Sequence, residues 1–566
     1  MFRALSSLPS HEAYDVVVAG AGAGGLAAAL FAAIAGARVL LAEQSDMIGG
    51  TTALSAGSVW IPNTHLAGDA DDDPAQARLY LDSVIGNHAP AVLREAFLAS
   101  GPQAIALLDA RSEVKFRPYA LHPDYEQTQP GATARGRALE PVPFDGLRLG
   151  ADLNRIRPPL PEFTILGGMM VDRTDIRHLL GMTRSPASAW HSAKLLARYA
   201  RDRLKIRRGS RLVMGNALVG RLLISLKQYD VTIVTGTTIT GLTATDGAVR
   251  GVTLAGGGTE RVIAARRAVV LAGGGFIGDD DQRRQWLPAA GFLPSACAPG
   301  QGGALQKLAL GLGARIAEGN RDAAYWAPVS LRRRADGSTA VFPHFVMDRS
   351  KPGTICVDQS GRRFVNEATS YHEFARAMLA RDRVQPCIPC FIIADARALR
   401  AYGLGLVRPG ARNLAPFLAD GYLVEGPDLA ALARKLDIDP ATLMQTVERT
   451  NVLAASGHDA DFGRGSTLYH RVNGDPAVGP NPTLAPLAQP PFYAVRLQPG
   501  DIGAARGLVV NEWAQVMRDG RPITGLYACG NAMNSITGGT YPGPGITLGP
   551  AITFAYRAMR HALPKA

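Results

Sequence analysis

Two glycine-rich signatures with chemical consequences stand near opposite ends of this 566-residue chain: Gly20-Ala-Gly-Ala-Gly-Gly25 and Gly539-Thr-Tyr-Pro-Gly-Pro-Gly545. The first follows a buried-strand run, Tyr14-Asp-Val-Val-Val-Ala19, and precedes a small-residue, helix-forming run at 26–35. Gly20, Gly22 and Gly25 permit a tight turn, close backbone approach to a pyrophosphate and close helix-strand packing. Gly24 lies in the same turn, and the helix N-terminus supplies unpaired N–H groups at its positive end. A second strand at 37–42 ends at Glu43, about 20 residues on, where an acid accepts hydrogen bonds from a ribose. Strand, turn, helix, strand and acid together predict a dinucleotide site rather than a merely structural turn.

Directly after the acid comes a second small-residue, hydroxyl-bearing loop, Gly49-Gly50-Thr51-Thr52-Ala-Leu-Ser55-Ala-Gly57. It resembles the FAD loop of the fumarate reductase and 3-ketosteroid dehydrogenase flavoproteins. Two further segments fit that resemblance: Ala268-Val-Val-Leu-Ala-Gly273-Gly274-Gly-Phe276 and Gly525-Leu-Tyr-Ala-Cys-Gly530-Asn531. It implies FAD, held by these loops and by Gly545, Ile546 and Leu548, with a helix beginning near Gly545 aimed at the flavin. No histidine lies inside the first FAD motifs, so noncovalent binding is expected. No second complete dinucleotide fingerprint is visible, so electrons are expected to leave for an external acceptor such as a quinone.

The C-terminal run from Gly530-Asn531 through Thr540-Tyr-Pro-Gly-Pro-Gly545 to Thr553-Phe554 resembles the 3-ketosteroid Δ1-dehydrogenases. So do Asp124-Tyr125 with Gly136-Arg137, Gly361-Arg-Arg-Phe-Val-Asn-Glu367 leading to Tyr371, and Pro491-Phe-Tyr-Ala494 leading to Asp501. The resemblance implies that the Tyr541 hydroxyl and the Gly545 N–H clamp a substrate ketone. Tyr371 would remove a proton from the neighbouring carbon, with Tyr125 hydrogen-bonded to it, and FAD would take a hydride from the next carbon. Two donors aimed at a carbonyl stabilise the developing enolate charge. The expected substrate is a 3-ketosteroid or a similar apolar ketone. The alternatives are a Δ4-(5α)-dehydrogenase, another cyclic-ketone desaturase or reductase, a fumarate-reductase-like enzyme, and a noncatalytic flavoprotein. Tyr119 is a rival to Tyr125, and the segment 531–538 departs from the family pattern where it would border the flavin.

The elements that must position these residues read as α/β: a Rossmann-like FAD-binding domain with an inserted α+β substrate-capping domain and a basic helical insertion. The expected boundaries are FAD domain at 1–180, 228–330 and 497–566, insertion at 181–227, and cap at 331–496. The uncharged stretch 16–37 is long enough for a bilayer, but its glycine turn favours a buried strand and helix. Five scattered cysteines form no disulfide framework. The Cys387-Ile-Pro-Cys390 pair reads as ordinary thiols, and no metal site is expected.

Lys plus Arg number 60 against 48 Asp plus Glu. The excess concentrates at 184–227 in two basic amphipathic helices around Arg208-Gly209, which include Arg207. These could lie on an anionic membrane surface or form a solvated hairpin covering core or contacting a partner subunit. Nucleic-acid binding is not expected, since no binding module surrounds the patch. No secretory signal is read at the N-terminus, so the expected location is cytoplasmic, with peripheral attachment to the inner face of the membrane.

Overall fold

The computed structural model describes residues 1–70, 72–206, 208–288, 293–345 and 348–564, so that Arg207 lies outside the described residues. The strand Ala13–Ala19 pairs in parallel with Val39–Ala42 on one side and Thr259–Leu271 on the other. Thr232–Val234 and Arg521–Ala528 continue the parallel sheet outward, and the antiparallel strands Thr238–Thr245 and Ala248–Gly256 complete it with Gln515–Arg518. Val16, Val17 and Val18 are fully buried, as expected of a strand covered on both faces, which reads as an unbroken apolar run. The helix Ala23–Ile34 packs on this sheet and against the helices Met214–Gln228 and Leu548–Ala562. Segments more than 500 residues apart in sequence therefore share one core.

A second sheet is antiparallel. Its long strand Phe492–Ala504 pairs with Ala324–Arg333, Cys390–Asp395 and Leu423–Gly426, and the sheet continues through Thr339–Pro343 and Thr354–Val357. The helix Tyr371–Asp382 packs on this sheet, its first turn capped by Ser370 Oγ accepting from Glu373 N. A small third sheet carries Val59–Trp60 beside Ala138–Pro141 and Phe116–Pro118. Leu429–Leu436 forms the expected helix, whereas the C-terminal helix starts at Leu548 rather than near Gly545. All five cysteines are free thiols.

The basic segment folds as the helices Pro186–Arg203 and Met214–Gln228, but only the first is a surface helix. Along the second, Gly215, Asn216, Leu218, Leu222 and Leu226 are buried. Arg221, expected on a solvated face, instead donates to the carbonyls of Val142, Glu113 and Pro143 at 2.7–2.9 Å. The reason is steric. At Gly215 and Gly220 the helix lies too close to its neighbours for any side chain, and Asn216 Nδ2 donates to Ala53 O at 2.7 Å. The helix is thus a buttress of the 49–57 loop. Among the described residues no helix is long and apolar enough to cross a membrane.

A Cβ at Gly215 would stand 1.8 Å from Thr52 O. Gly215→Ala is expected to lower stability by at least about 1–3 kcal/mol, the usual cost of overpacking, and to weaken cofactor retention. An unchanged melting temperature with full cofactor content would contradict the buttress role.

Candidate active site

One cavity runs along the C-terminal ends of the parallel strands and out beneath the second sheet. Gly20, Gly22, Gly24, Glu43, Gly50, Thr51, Thr52, Ser55, Gly57, Gly273, Gly274, Gly530, Asn531, Gly545 and Leu548 all line it. Three residues expected at the cofactor do not. Gly25 is pressed against Gly20, where a Cβ would meet the Gly20 carbonyl at 1.8 Å; Gly49 turns the chain against Ala53 and Val219; Ile546 is buried beside a smaller cavity. These three shape the cradle without facing into it.

The cradle fits a dinucleotide. Gly22 opens onto space: a Cβ at that position would have Thr52 Oγ1, 3.9 Å away, as its nearest neighbour. Thr52 Oγ1 accepts from Ala23 N at 3.0 Å, tying the second loop to the helix start. Glu43 accepts from Ala21 N at 2.7 Å and Ser45 N at 2.8 Å. Burial raises the Glu43 pKa while those N–H bonds oppose it, and the bonds orient the carboxylate beside the strand ends where a ribose would lie.

At the other end the three tyrosines meet. The Tyr125 and Tyr371 hydroxyls are 3.4 Å apart, the Tyr371 and Tyr541 ring centres 5.2 Å apart, and the Tyr125 ring stacks on that of Tyr541 at 5.8 Å. All three line the cavity, as does Gly545, whose N–H has no acceptor among the described residues. A free N–H and a phenol on one wall are two donors of the kind that can hold a carbonyl oxygen. Tyr119, the rival of Tyr125, is instead bonded to Ser58 Oγ at 2.8 Å. His372 turns away from Tyr371, behind Tyr541, and burial drives its pKa down to about 3.

Burial also sets the acidity of the tyrosines. It pushes Tyr125 and Tyr371 well above the ordinary phenol value, and Tyr541 up to about 12. All three are therefore neutral at pH 7 in the free protein, and a phenolate at Tyr371 is favoured only as protons become scarce.

Several residues that support the site stood in the sequence motifs without a binding or catalytic role, or outside the motifs altogether. Pro542 O accepts from Tyr125 N at 2.9 Å and from the Tyr80 hydroxyl at 2.5 Å. Asp124 accepts from Trp60 Nε1 and from Arg137 Nη1, both at 2.8 Å, and Arg137 also pairs with Asp72. The adjacency of Asp124 to Tyr125, with Arg137 nearby in the same motif, was the available signal. Four residues before Tyr371 and ahead of its helix, Glu367 forms a buried ionic cluster with Arg363, Arg464 and Asp459 at 2.7–3.3 Å. The divergent segment 531–538 supplies Ser535, whose hydroxyl lies 2.5 Å from that of Tyr325, and Thr537, which donates to Thr540 O at 2.7 Å. Tyr469, 4.9 Å from the Tyr125 ring, also lines the cavity, and no sequence signal marked it.

The FAD-binding domain family matches residues 15–548. The chain is 37% identical over 555 residues to 4-oxocyclohex-2-ene-1-carboxylate 5-dehydrogenase of Sinomonas cyclohexanicum, covering 97% of this chain and 93% of that one. It is 35% identical to 3-oxosteroid 1-dehydrogenase of Mycolicibacterium smegmatis, covering 97% and 96%. The crystal structure of 3-ketosteroid delta1-dehydrogenase from Sterolibacterium denitrificans, in complex with 1,4-androstadiene-3,17-dione, superposes with a TM-score of 0.91 at 34% identity, over 98% of this chain and 99% of that one. A glycine cradle that fits a dinucleotide, and full-length likeness to these dehydrogenases, place the chain in the FAD-binding domain family of flavoproteins, with FAD as its cofactor.

Proposed function

We propose that this protein is an FAD-dependent 3-oxosteroid 1-dehydrogenase, which introduces a double bond between carbons 1 and 2 of a 3-ketosteroid. The observation that carries this reading is the convergence of Tyr125, Tyr371, Tyr541 and the free Gly545 N–H on one cavity wall. Relatives named for dehydrogenating oxo-substituted rings support it.

Tyr541 and Gly545 would donate to the ketone oxygen and draw charge toward it, acidifying the C–H bond at carbon 2. Tyr371, as its phenolate, would accept that proton at its oxygen and become the phenol, with the Tyr125 hydroxyl 3.4 Å away hydrogen-bonded to it. FAD supplies the acceptor for the hydride that leaves carbon 1. The tyrosine cluster is buried, which strengthens each hydrogen bond at the developing enolate. An external two-electron acceptor completes turnover, and a quinone suits attachment to a membrane.

The first basic helix supports peripheral membrane attachment. Trp190 and Leu204 are exposed at 65% and 84%, beside Lys194 and other cationic side chains. The helix packs on Arg173–Leu180, whose first residue lines the cavity, so an apolar substrate would enter from the lipid-facing side. Anionic vesicles should co-sediment the protein at low salt, and Trp190→Glu with Leu204→Glu should release it; a wild type that stays in the supernatant would contradict attachment.

The test of function is anaerobic. Adding androst-4-ene-3,17-dione should bleach the flavin and give a product lacking one hydrogen at each of carbons 1 and 2. A Δ4 product from a saturated-ring ketone would select the alternative dehydrogenase, and no bleaching with any ketone would overturn the reading. Tyr541→Phe should keep FAD and lose roughly 10²–10³-fold in kcat. Because the Tyr371 pKa is raised, its phenolate fraction grows with pH, so kcat/KM should climb from about pH 7 to about pH 9. A flat profile would remove Tyr371 as the base.

A further inference from the structure

Past Tyr125 the cavity continues to a wall made by Tyr119, His122 and Arg173. The His122 ring lies 6.4 Å from that of Tyr125 and 5.0 Å from that of Tyr119, and the Arg173 guanidinium sits 5.8 Å from the Tyr119 ring. The remaining charges on this wall are committed elsewhere. Glu140 accepts from Arg117 at 2.7 Å, and Asp172 pairs with Arg211 at 3.1 Å while capping the helix Arg173–Leu180. Burial, reinforced by Arg173, pushes His122 down to about 3, so it is neutral at pH 7. Arg173 has no carboxylate partner among the described residues, although it stands next to one in sequence and beside aromatic side chains of the cavity wall.

A steroid with two ketones gives such a cation little to do. A guanidinium presents a planar fork of N–H donors matched to a carboxylate, and Arg173, exposed in the free protein beside the Tyr119 ring, is open to such a partner. We propose that Arg173 is a carboxylate receptor, and that the substrates this enzyme handles best are ring ketones bearing an acidic group at the end remote from the Tyr541 and Gly545 clamp. The inference rests on the reading of the site as a ring-ketone dehydrogenase. It narrows the substrate class to keto acids, whether the acid sits on a single ring or at the end of a steroid side chain.

The test uses the FAD-loaded wild type with Arg173→Ala and Arg173→Lys. Steady-state constants are measured for two acid and ester pairs: 4-oxocyclohexanecarboxylate with its methyl ester, and 3-oxochol-4-en-24-oate with its methyl ester. Binding of 4-hydroxybenzoate and of methyl 4-hydroxybenzoate is followed in parallel through the absorbance of oxidised flavin, which requires no turnover. The wild type should favour the acid by roughly tenfold to a hundredfold in KM or Kd. The preference should fall toward unity in Arg173→Ala, persist in part in Arg173→Lys, and weaken with added salt. The pair that shows it identifies the scaffold. Equal constants for acid and ester in the wild type, or a preference that Arg173→Ala leaves intact, would overturn the proposal. Turnover of esters and of androst-4-ene-3,17-dione without an acid preference would overturn the receptor alone and leave the dehydrogenase standing. Absence of turnover with every ketone would sink the dehydrogenase, and the binding arm would still decide the role of Arg173.

Discussion

The close seating of the loop 538–549 on the strand that carries Trp60 governs the geometry of the active site. A Cβ at Gly545 would stand 2.4 Å from Ser58 O, one at Gly543 2.5 Å from the Trp60 indole, and one at Gly549 2.3 Å from Trp60 O. No side chain fits at any of the three positions, so the glycines let the loop settle directly on the backbone it must register with. Trp60 N then donates to Gly545 O at 3.1 Å, and Gly549 N donates to the same oxygen at 2.9 Å. Gly545, at a φ of +94°, lines the cavity with its carbonyl so engaged and its own N–H without an acceptor among the described residues. The same loop hands Pro542 O to Tyr125 N and Tyr80, so the proposed ketone clamp and the tyrosine proposed to support the base are fixed by one segment.

Burial pulls in two directions at this site. It makes the clamp effective, because donors shielded from water interact more strongly with a developing oxyanion. It also opposes charge on Tyr371, the proposed base. The neighbouring hydroxyls add to that opposition, since the contacts of Tyr371 with Tyr125 and Tyr541 raise its pKa further. In the proposed mechanism the compensation comes from the two donors at the ketone oxygen, which draw charge away from the carbon to be deprotonated. The buried ionic cluster around Glu367 and the Asp124–Arg137–Asp72 cluster beside Tyr125 add rigidity, each with its charges closely paired. An unpaired member of either cluster would be strongly destabilising.

Local pattern made the first half of the site legible. The strand, glycine turn, helix and Glu43 are consecutive in sequence, and period and spacing define them without reference to the remainder of the fold. The tyrosines were legible only through motif resemblance, since nothing in the types of residues 125, 371 and 541 announces that they meet. The helix Met214–Gln228 was read as a surface element because its charges were counted without their partners. Arg221 satisfies three backbone carbonyls, and Lys227 pairs with Asp152 at 2.7 Å, both contacts across long sequence separations. Tyr469 and Trp60 were invisible for the same reason: their roles follow from which segments pack together, and tertiary contacts of this kind leave no periodic trace.

The central claim is that Tyr371 removes the proton beside the ketone. The most direct test is hydrogen exchange at that carbon, measured by mass spectrometry after anaerobic incubation of the ketone with FAD-loaded protein in D₂O. The predicted result is deuterium uptake at the carbon next to the ketone in the wild type, and uptake reduced by at least about a hundredfold in Tyr371→Phe with FAD still bound. Exchange at the wild-type rate in Tyr371→Phe would place the base on another residue and contradict the claim.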